Sequence, residues 1–519
     1  MNIVWFKRDL RIYDHRPLFE AAAQGSVLCL YIAEPDYWQL PDTSARQWLA
    51  IAEGLAELDG ALKRKYGVNL TVRTGNAVDI FKELRTVEDI SAIYSHEETG
   101  NLWTYARDKR VGQFCKDNTI DWHEYAQFGV VRKLKNRDHW AARWEAMMSA
   151  PLIPAPDHLQ ATQISPGHLP ELRDLRLTPD LCLDRQKGGR NAGLALLESF
   201  LGGRGASYQF EMSSPSSAPE ACSRLSLHFV TGTLSLREVF RRCDQTRHNL
   251  FGMPEAARPI SLRSLNAFVS RLHWHCHFIQ KLESEPEIEM RSVHPLHEAA
   301  RHVTKPDDPI LEAWTRGGTG FPFVDACMRS LAATGWINFR MRAMLMSFAT
   351  YHLALDWAVT GAALARLFTD YEPGIHWPQV QMQAGQTGIN TPRIYNPVKQ
   401  SFDQDPQAVF ISRWVPELAR LPRELQHEPW LVSAAEELLY EIKIGFDYPK
   451  RIIDHESAAQ AARARLSDIR KQTGYRAKGD NVFLRHGSRK KMVSHSHRKV
   501  LIILPKAEDH SDRQMTFDL

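Results

Sequence analysis

No run of eighteen apolar residues occurs in the 519-residue chain, which excludes a membrane-spanning helix. The first residues, Asn2-Ile3-Val4-Trp5-Phe6, read as a strand and not as a basic stretch followed by an apolar one, so no secretory leader is expected and the protein is placed in the cytoplasm. Cysteine is sparse. The seven residues at 29, 115, 182, 222, 243, 276 and 327 form no CxxC pair, which argues against a disulfide framework or an iron–sulfur cluster and for free buried thiols. The dinucleotide fingerprint GxGxxG is absent. A formal net charge of +4 is too small to argue nucleic-acid binding by itself, so a local patch would have to carry it.

What is present is ordinary in bulk and informative in detail. Hydrophobic content of 43% and charged content of 24% suit a globular protein with two or more full cores. Short apolar runs at 2–6, 26–32, 68–73, 92–95 and 120–125 alternate with amphipathic stretches such as 44–65 and 102–116, which predicts a doubly wound parallel sheet over residues 1–130. Residues 131–190, rich in Pro, Asp and Arg, read as a connector. Helical periodicity then dominates 191–469, predicting an all-α second domain. Residues 470–519 form a basic tail, with Arg489-Lys490-Lys491, Arg498-Lys499 and a strand-like 500–504. A solvated tail is the plain reading; DNA contact or partner binding is the sharper one.

Between Gly317 and Pro397, Trp336, Arg340, Arg342 and Trp357 ride on helical faces that would otherwise be core. Tryptophan alone is plain packing, but a guanidinium there needs a carboxylate or phosphate partner. Asp370 and Glu372 follow on the next element, able to bond a heterocycle or pair with an arginine. Upstream, Tyr208 precedes Ser223-Arg224-Leu225-Ser226 at a helix mouth. Backbone N–H groups and hydroxyls there suit a diphosphate, although a simple N-cap explains one serine equally well. The helix Phe268–Phe278 carries Arg271, Trp274 and His273, His275 and His277. His273 and His277 are one turn apart and could share a zinc, but no carboxylate completes the set and no metal is expected.

Several of these segments share a pattern. Thr319-Gly320-Phe321-Pro322-Phe323-Val324-Asp325-Ala326-Cys327-Met328-Arg329, Thr334-Gly335-Trp336, Ser347-Phe348, Asp356-Trp357 and Arg393-Ile394-Tyr395-Asn396-Pro397, with Trp5-Phe6-Lys7-Arg8-Asp9-Leu10-Arg11 at the start, resemble the DNA photolyase/cryptochrome family. The resemblance implies FAD held by Tyr208, Ser223, Arg224, Leu225, Ser226, His275, Trp336, Phe339, Arg342, Asp370 and Glu372. It also implies room for an antenna chromophore, folate or deazaflavin, in the first domain. Trp274 would stack on a flipped lesion, Arg271 and Arg340 would contact DNA, His376 would lie near the reactive part of the flavin, and Trp357 would keep the middle place of an electron-feeding tryptophan chain. In the opening motif, Arg8, Asp9, Arg11 and Asp14 are expected to pair with one another and brace the first strand.

The departures from the family are as specific as the matches. Arg271 stands where the family has a glutamate, His275 where it has an arginine, Phe339 where it has an asparagine and Asn338 where it has a histidine. The tryptophan that first feeds the flavin becomes Val380 or Gln381, and the outermost one falls near Thr304 or Lys305, leaving Trp377 as an alternative route. The function implied is light-dependent repair of UV-damaged DNA by electron transfer from reduced FAD, by a monomer. The alternative is a cryptochrome-like blue-light receptor with a signalling partner and no repair.

Overall fold

The computed structural model describes residues 1–180 and 182–487. The first strands are buried along nearly their whole length, as a parallel sheet covered on both faces requires. Ile3, Val4, Trp5 and Phe6 are at most 1% exposed. Strands β1 (Asn2–Phe6), β2 (Ser26–Ala33), β3 (Thr71–Thr74), β4 (Ala92–His96) and β5 (Asp121–Tyr125) pair in the order β3-β2-β1-β4-β5, all parallel. β1 sits centrally, with Val4 opposite Cys29 and Ile3 opposite Ile93. Residues Gln160–Ala161 of the connector add a short parallel pairing to the start of β2. The connector also holds a helix, Trp140–Ser149, that its composition did not suggest.

Helices α1 (Ala45–Tyr66) and α2 (Leu102–Asp117) flank the sheet. α1 starts at a Ser44/Gln47 capping box and ends on Gly67 at φ +70°, the left-handed conformation glycine adopts without strain. The second domain is all helix. Its principal elements are α3 (Leu262–Ser284), α4 (Phe339–Ser347), α5 (Trp357–Leu367), α6 (Pro373–Gln383), α7 (His455–Lys471) and α8 (Tyr475–His486). Its core is aromatic, with Trp314, Phe323, Phe348, Trp357, Phe368 and Tyr448 at most 2% exposed. α3 and α6 pack so closely that a Cβ on Gly374 would lie 2.9 Å from Ile279 Cα. That contact brings the Trp274 helix against the segment after Asp370.

The tail is more ordered at its start than composition implies. Tyr475 packs its ring 4.3 Å from His294, and Arg485 and His486 meet Glu285 at 3.1 and 2.6 Å, so α8 folds back onto the end of α3. The basic clusters at 489–491 and 498–499 and the strand-like 500–504 lie outside the described residues. Among the described residues no helix is long and apolar enough to cross a membrane.

Candidate flavin and lesion site

Asp370 and Glu372 end the segment between α5 and α6, and their two carboxylates take different partners. Arg342, on α4, donates from Nη2 to both Asp370 oxygens at 3.0 and 2.9 Å and from Nε to the Ile337 carbonyl at 2.8 Å, with its guanidinium 4.1 Å from the Phe368 ring centre. Desolvating a guanidinium beside an aromatic face requires such a partner. Glu372 caps α6 by accepting from the Gly374 N–H at 3.1 Å. Its other partner is Arg8 at the end of β1, whose Nη1 lies 3.4 Å from Oε1 and whose Nη2 bonds Oε2. The expectation that the residues of the opening motif pair with one another holds for Arg11 and Asp14 and is corrected for the others. Arg8 reaches across to the helical domain, Arg11 donates to the Asp14 and Gly232 carbonyls, and Asp14 meets Ser235 and Arg237.

Asp9, the remaining member of that motif, is shared by two buried histidines, His15 Nε2 at 3.0 Å and His96 Nδ1 at 2.7 Å. The three could in principle hold an ion. However, the Leu18 N–H donates to His15 Nδ1 at 3.1 Å, which leaves the ring proton on Nε2 to donate to Asp9. Burial would raise the Asp9 carboxyl, but His15 and His96 outweigh it and hold it well below its ordinary value. Burial also lowers His96 to about 3. A hydrogen-bonded brace, an ionised Asp9 held between two uncharged histidines, accounts for the group.

The loop before the short helix Ser226–Val230 is built around Arg224, a non-glycine residue at φ +60°. Its guanidinium lies 4.1 Å over the Trp336 ring, and its Nε is buried without a partner. Arg204 holds the loop from behind, bonding the Cys222 carbonyl and the Ser223 carbonyl, the latter at 3.2 Å. Leu225 is fully buried, and its N–H lies 3.5 Å from Ser223 Oγ. Tyr208 is buried against Phe200 and Phe268 at 5.6 and 6.1 Å, and burial pushes its hydroxyl up to about 12.

On α3, Trp274 stacks on Phe278 with centroids 5.4 Å apart, and His277 meets its edge at 5.0 Å. Arg271 points toward Met212 Sδ at 4.0 Å. His275 is enclosed by Phe128 and Phe229 at 5.7 and 5.6 Å; burial, with Arg8 nearby, lowers it to about 3, and its Nε2 has no partner. His273 and His277 lie 5.0 and 6.1 Å from the Trp140 ring, one on either end of an aromatic contact. Phe339 is 44% exposed at the head of α4, and Arg340 beside it has a buried, unpartnered Nε.

His376 is half-buried on α6 with Nε2 2.9 Å from the Gly361 carbonyl; desolvation lowers it to about 4, so it is neutral, with Nε2–H donating and Nδ1 left as acceptor. Its ring lies 5.1 Å from Trp377, which in turn lies 6.2 Å from Trp357. Trp377 Nε1 donates to Tyr371 Oη at 3.0 Å, and Tyr371 donates to Asp42 of the first domain. Residue identity gave no sign of this last link, because Tyr371 sits between the two carboxylates that drew the attention.

A cleft of about 80 Å³ lies at the C-terminal ends of β1 and β2, lined by Trp5, Tyr31, Tyr37 and Trp38 and by the Arg107 cluster, in which Glu34 is 3.1 Å from Nη1 and Glu98 bonds Nη2.

Residues 2–132 match the family model described as DNA photolyase, and residues 268–468 match the FAD binding domain of DNA photolyase. The chain is 30% identical over 487 residues to the deoxyribodipyrimidine photo-lyase of Streptomyces griseus, covering 90% of this chain and 99% of that protein. It is 28% identical to the cryptochrome DASH of Gloeobacter violaceus, covering 89% and 95%. The crystal structure of a bacterial class III photolyase from Agrobacterium tumefaciens superposes with a TM-score of 0.78 at 25% identity, covering 91% of this chain and 98% of that one. The residues present fit the flavin dinucleotide these comparisons imply: Arg224 Nε, His275 Nε2, Asn338 Oδ1 and Arg340 Nε are polar atoms buried without partners, and they lie on segments that flank the Arg342–Asp370 pair.

Proposed function

The chain belongs to the DNA photolyase/cryptochrome family, and from that premise we propose that it repairs UV-damaged DNA in light. Reduced FAD, excited by blue light, would supply the electron that splits the linked pyrimidines. The observation that carries the reading is the retention of Trp274 on the same helix as Arg271, with Arg340 at the head of the adjoining segment and the Arg342–Asp370 pair behind them. Trp274 offers an aromatic face to an extruded base, whose loss of stacking inside the duplex is smallest for a damaged pair. Arg271 can hydrogen-bond pyrimidine carbonyls and favour negative charge developing on them, where the family's glutamate would accept a proton or a hydrogen bond instead.

Arg224 and Ser223 would face the cofactor's diphosphate, and Arg342, bonded to both Asp370 oxygens, would hold that side chain aimed at its heterocycle. His376, neutral and fixed by Gly361, can accept a hydrogen bond at Nδ1 without introducing a charge. An antenna chromophore of folate or deazaflavin type would lie at the cleft beside Arg107, which would have to yield space, because 80 Å³ is below the usual size of a ligand pocket.

A photoreceptor without repair is the second reading, favoured by Arg271 in the glutamate's place and by relatives that carry both kinds of name. The test illuminates the chemically reduced protein anaerobically with DNA carrying cyclobutane dimers or (6-4) products, read by chromatography. Loss of one lesion in light and not in darkness is the expected result. A flavin-containing protein that repairs neither lesion would overturn the repair reading.

A further inference from the structure

Lys281 lies at the end of the α3 face that carries Trp274, and its amine has the surroundings of a nucleophile. Residues 274, 277, 278 and 281 fall on one side of the helix. The Phe278 ring lies 5.4 Å from that of Trp274, and Lys281 Nζ stands 5.0 Å from the centre of the same Phe278 ring, so one aromatic side chain separates the amine from the tryptophan. The plain reading is a lysine resting on an aromatic face and paired with a carboxylate one turn away. The partners argue against it. Glu285, four residues on, is taken by Arg485 at 3.1 Å and His486 at 2.6 Å, both from α8, and among the described residues no carboxylate pairs with Lys281. Three other groups face the amine: Arg137 of the connector, whose Nη2 donates to the His277 carbonyl at 3.1 Å, His277 itself, and His486. The last turn of a helix favours a cation. Burial and Arg137 act against it and lower the Lys281 ammonium from 10.5 to about 7, so much of the amine is unprotonated at neutral pH. Burial and the same cations hold His277 well below its ordinary value, and it is neutral. Lys281 stays partly exposed. A neutral, reachable amine beside a second cation is the arrangement in which lysine attacks a carbonyl carbon.

We propose that Lys281 captures an aldehyde as a Schiff base, and that the aldehyde is the ring-opened deoxyribose of an abasic site in DNA. The amine nitrogen adds to the aldehyde carbon, a C=N bond replaces the C=O bond, and the oxygen leaves as water with the two amine hydrogens, so the step needs no oxidant or reductant. The choice of substrate rests on the DNA-repair reading, through Trp274, and adds to it a second lesion and a covalent step. An abasic nucleotide has no base to unstack, so its sugar leaves the duplex at small cost. A neighbouring base stacked on Trp274 leaves that sugar to be met by the flexible four-carbon stem of Lys281. A small free aldehyde shares the chemistry but gains nothing from the tryptophan.

The test incubates the full chain, with its flavin and in darkness, with a duplex carrying one abasic site, traps the imine with sodium cyanoborohydride, and reads the protein–DNA adduct on a denaturing gel. Peptide mass spectrometry should place the adduct on Lys281. It should be absent with the intact duplex of the same sequence and fall at least ~10-fold in Lys281→Arg, which keeps the charge and lacks the nucleophilic amine. Fluorescence anisotropy of the same duplex separates a loss of chemistry from a loss of binding. Without DNA, the rate at which an acylating reagent labels Lys281 should level off above about pH 8, whereas a lysine of ordinary value gains about tenfold per pH unit up to 10. An adduct unchanged in Lys281→Arg, a loss of adduct matched by an equal loss of binding, or no adduct from a wild-type chain that binds the abasic duplex overturns the inference and leaves the repair reading standing. Trapping of propanal on Lys281 with none of the abasic duplex overturns the choice of DNA as the source of the aldehyde. A wild-type chain that binds neither abasic nor UV-damaged duplex overturns both this inference and the repair reading.

Discussion

At the seam between the two domains Arg46 gives Asp180 two hydrogen bonds at 2.6 and 2.7 Å and reaches the Leu367 carbonyl at 2.7 Å, while across the helical domain Arg224 lies over Trp336 with a buried Nε that bonds nothing. The seam repeats the first pattern. Gln47 donates to the Ala365 carbonyl at 2.9 Å, Tyr371 to Asp42, Arg8 to Glu372, and the Leu102 N–H to both Glu289 oxygens at 3.2 Å. The pocket repeats the second, at His275, Asn338 and Arg340. Leaving a buried polar atom unpaired costs about 1–3 kcal/mol, so a native fold tolerates a group of them chiefly where a ligand will complete them. The seam contacts named above are complete within the chain, whereas the proposed flavin pocket would be completed by its ligand.

Arg46→Ala should break the seam most. It removes the partner of Asp180 and leaves carbonyls of the helical domain without donors, a loss on the order of 3 kcal/mol, read as a lower urea midpoint. Arg224→Ala tests the other half of the contrast. The apoprotein should unfold within about 1 kcal/mol of wild type, while FAD affinity measured by flavin fluorescence falls ~10-fold or more. If Arg224→Ala destabilised the apoprotein as much as Arg46→Ala, the division into a self-sufficient seam and a ligand-completed pocket would be wrong.

Much of the fold was legible because parallel, doubly covered strands write themselves as short apolar runs, and β1, β2, β4 and β5 fall within a residue or so of those runs. β3 starts later than expected: Val68 and Leu70 are buried, but pairing begins only where Thr71 meets Leu30, a matter of register that composition does not encode. The connector helix had a signal, Trp140, Trp144 and Met148 four residues apart and all buried, which its Pro- and Asp-rich flanks obscured. α8 had almost none, since it is held by Tyr475 on His294 and by Arg485 and His486 on Glu285, with little buried apolar surface. In the site, the need of a buried arginine for a carboxylate led correctly to Arg342 and Asp370. Arg8 with Glu372 and Tyr371 with Asp42 join residues 364 and 329 positions apart, and residue identity cannot reveal such partners.

The seam itself should also depend on pH, and in the direction opposite to a salt bridge. Glu289, which caps α2, and Glu283, to which Tyr105 donates at 3.3 Å, are both raised to about 7 by burial, from an ordinary value of 4.5. Their folded-state values exceed their unfolded ones, so the folded state holds extra protons between pH 4.5 and 7. The stability they contribute is therefore fully present below pH 4.5 and is lost as pH rises through 7. Each carboxyl should account for about 1 kcal/mol after allowance for its partial contact with water. Urea unfolding of Glu283→Gln, which keeps the hydrogen bond from Tyr105 but cannot ionise, should show a flatter decline between pH 5 and 8 than wild type. An equally steep decline would mean that the seam's carboxyls are already ionised in the folded protein, and that its polar contacts hold by charge attraction as the Arg46–Asp180 pair does.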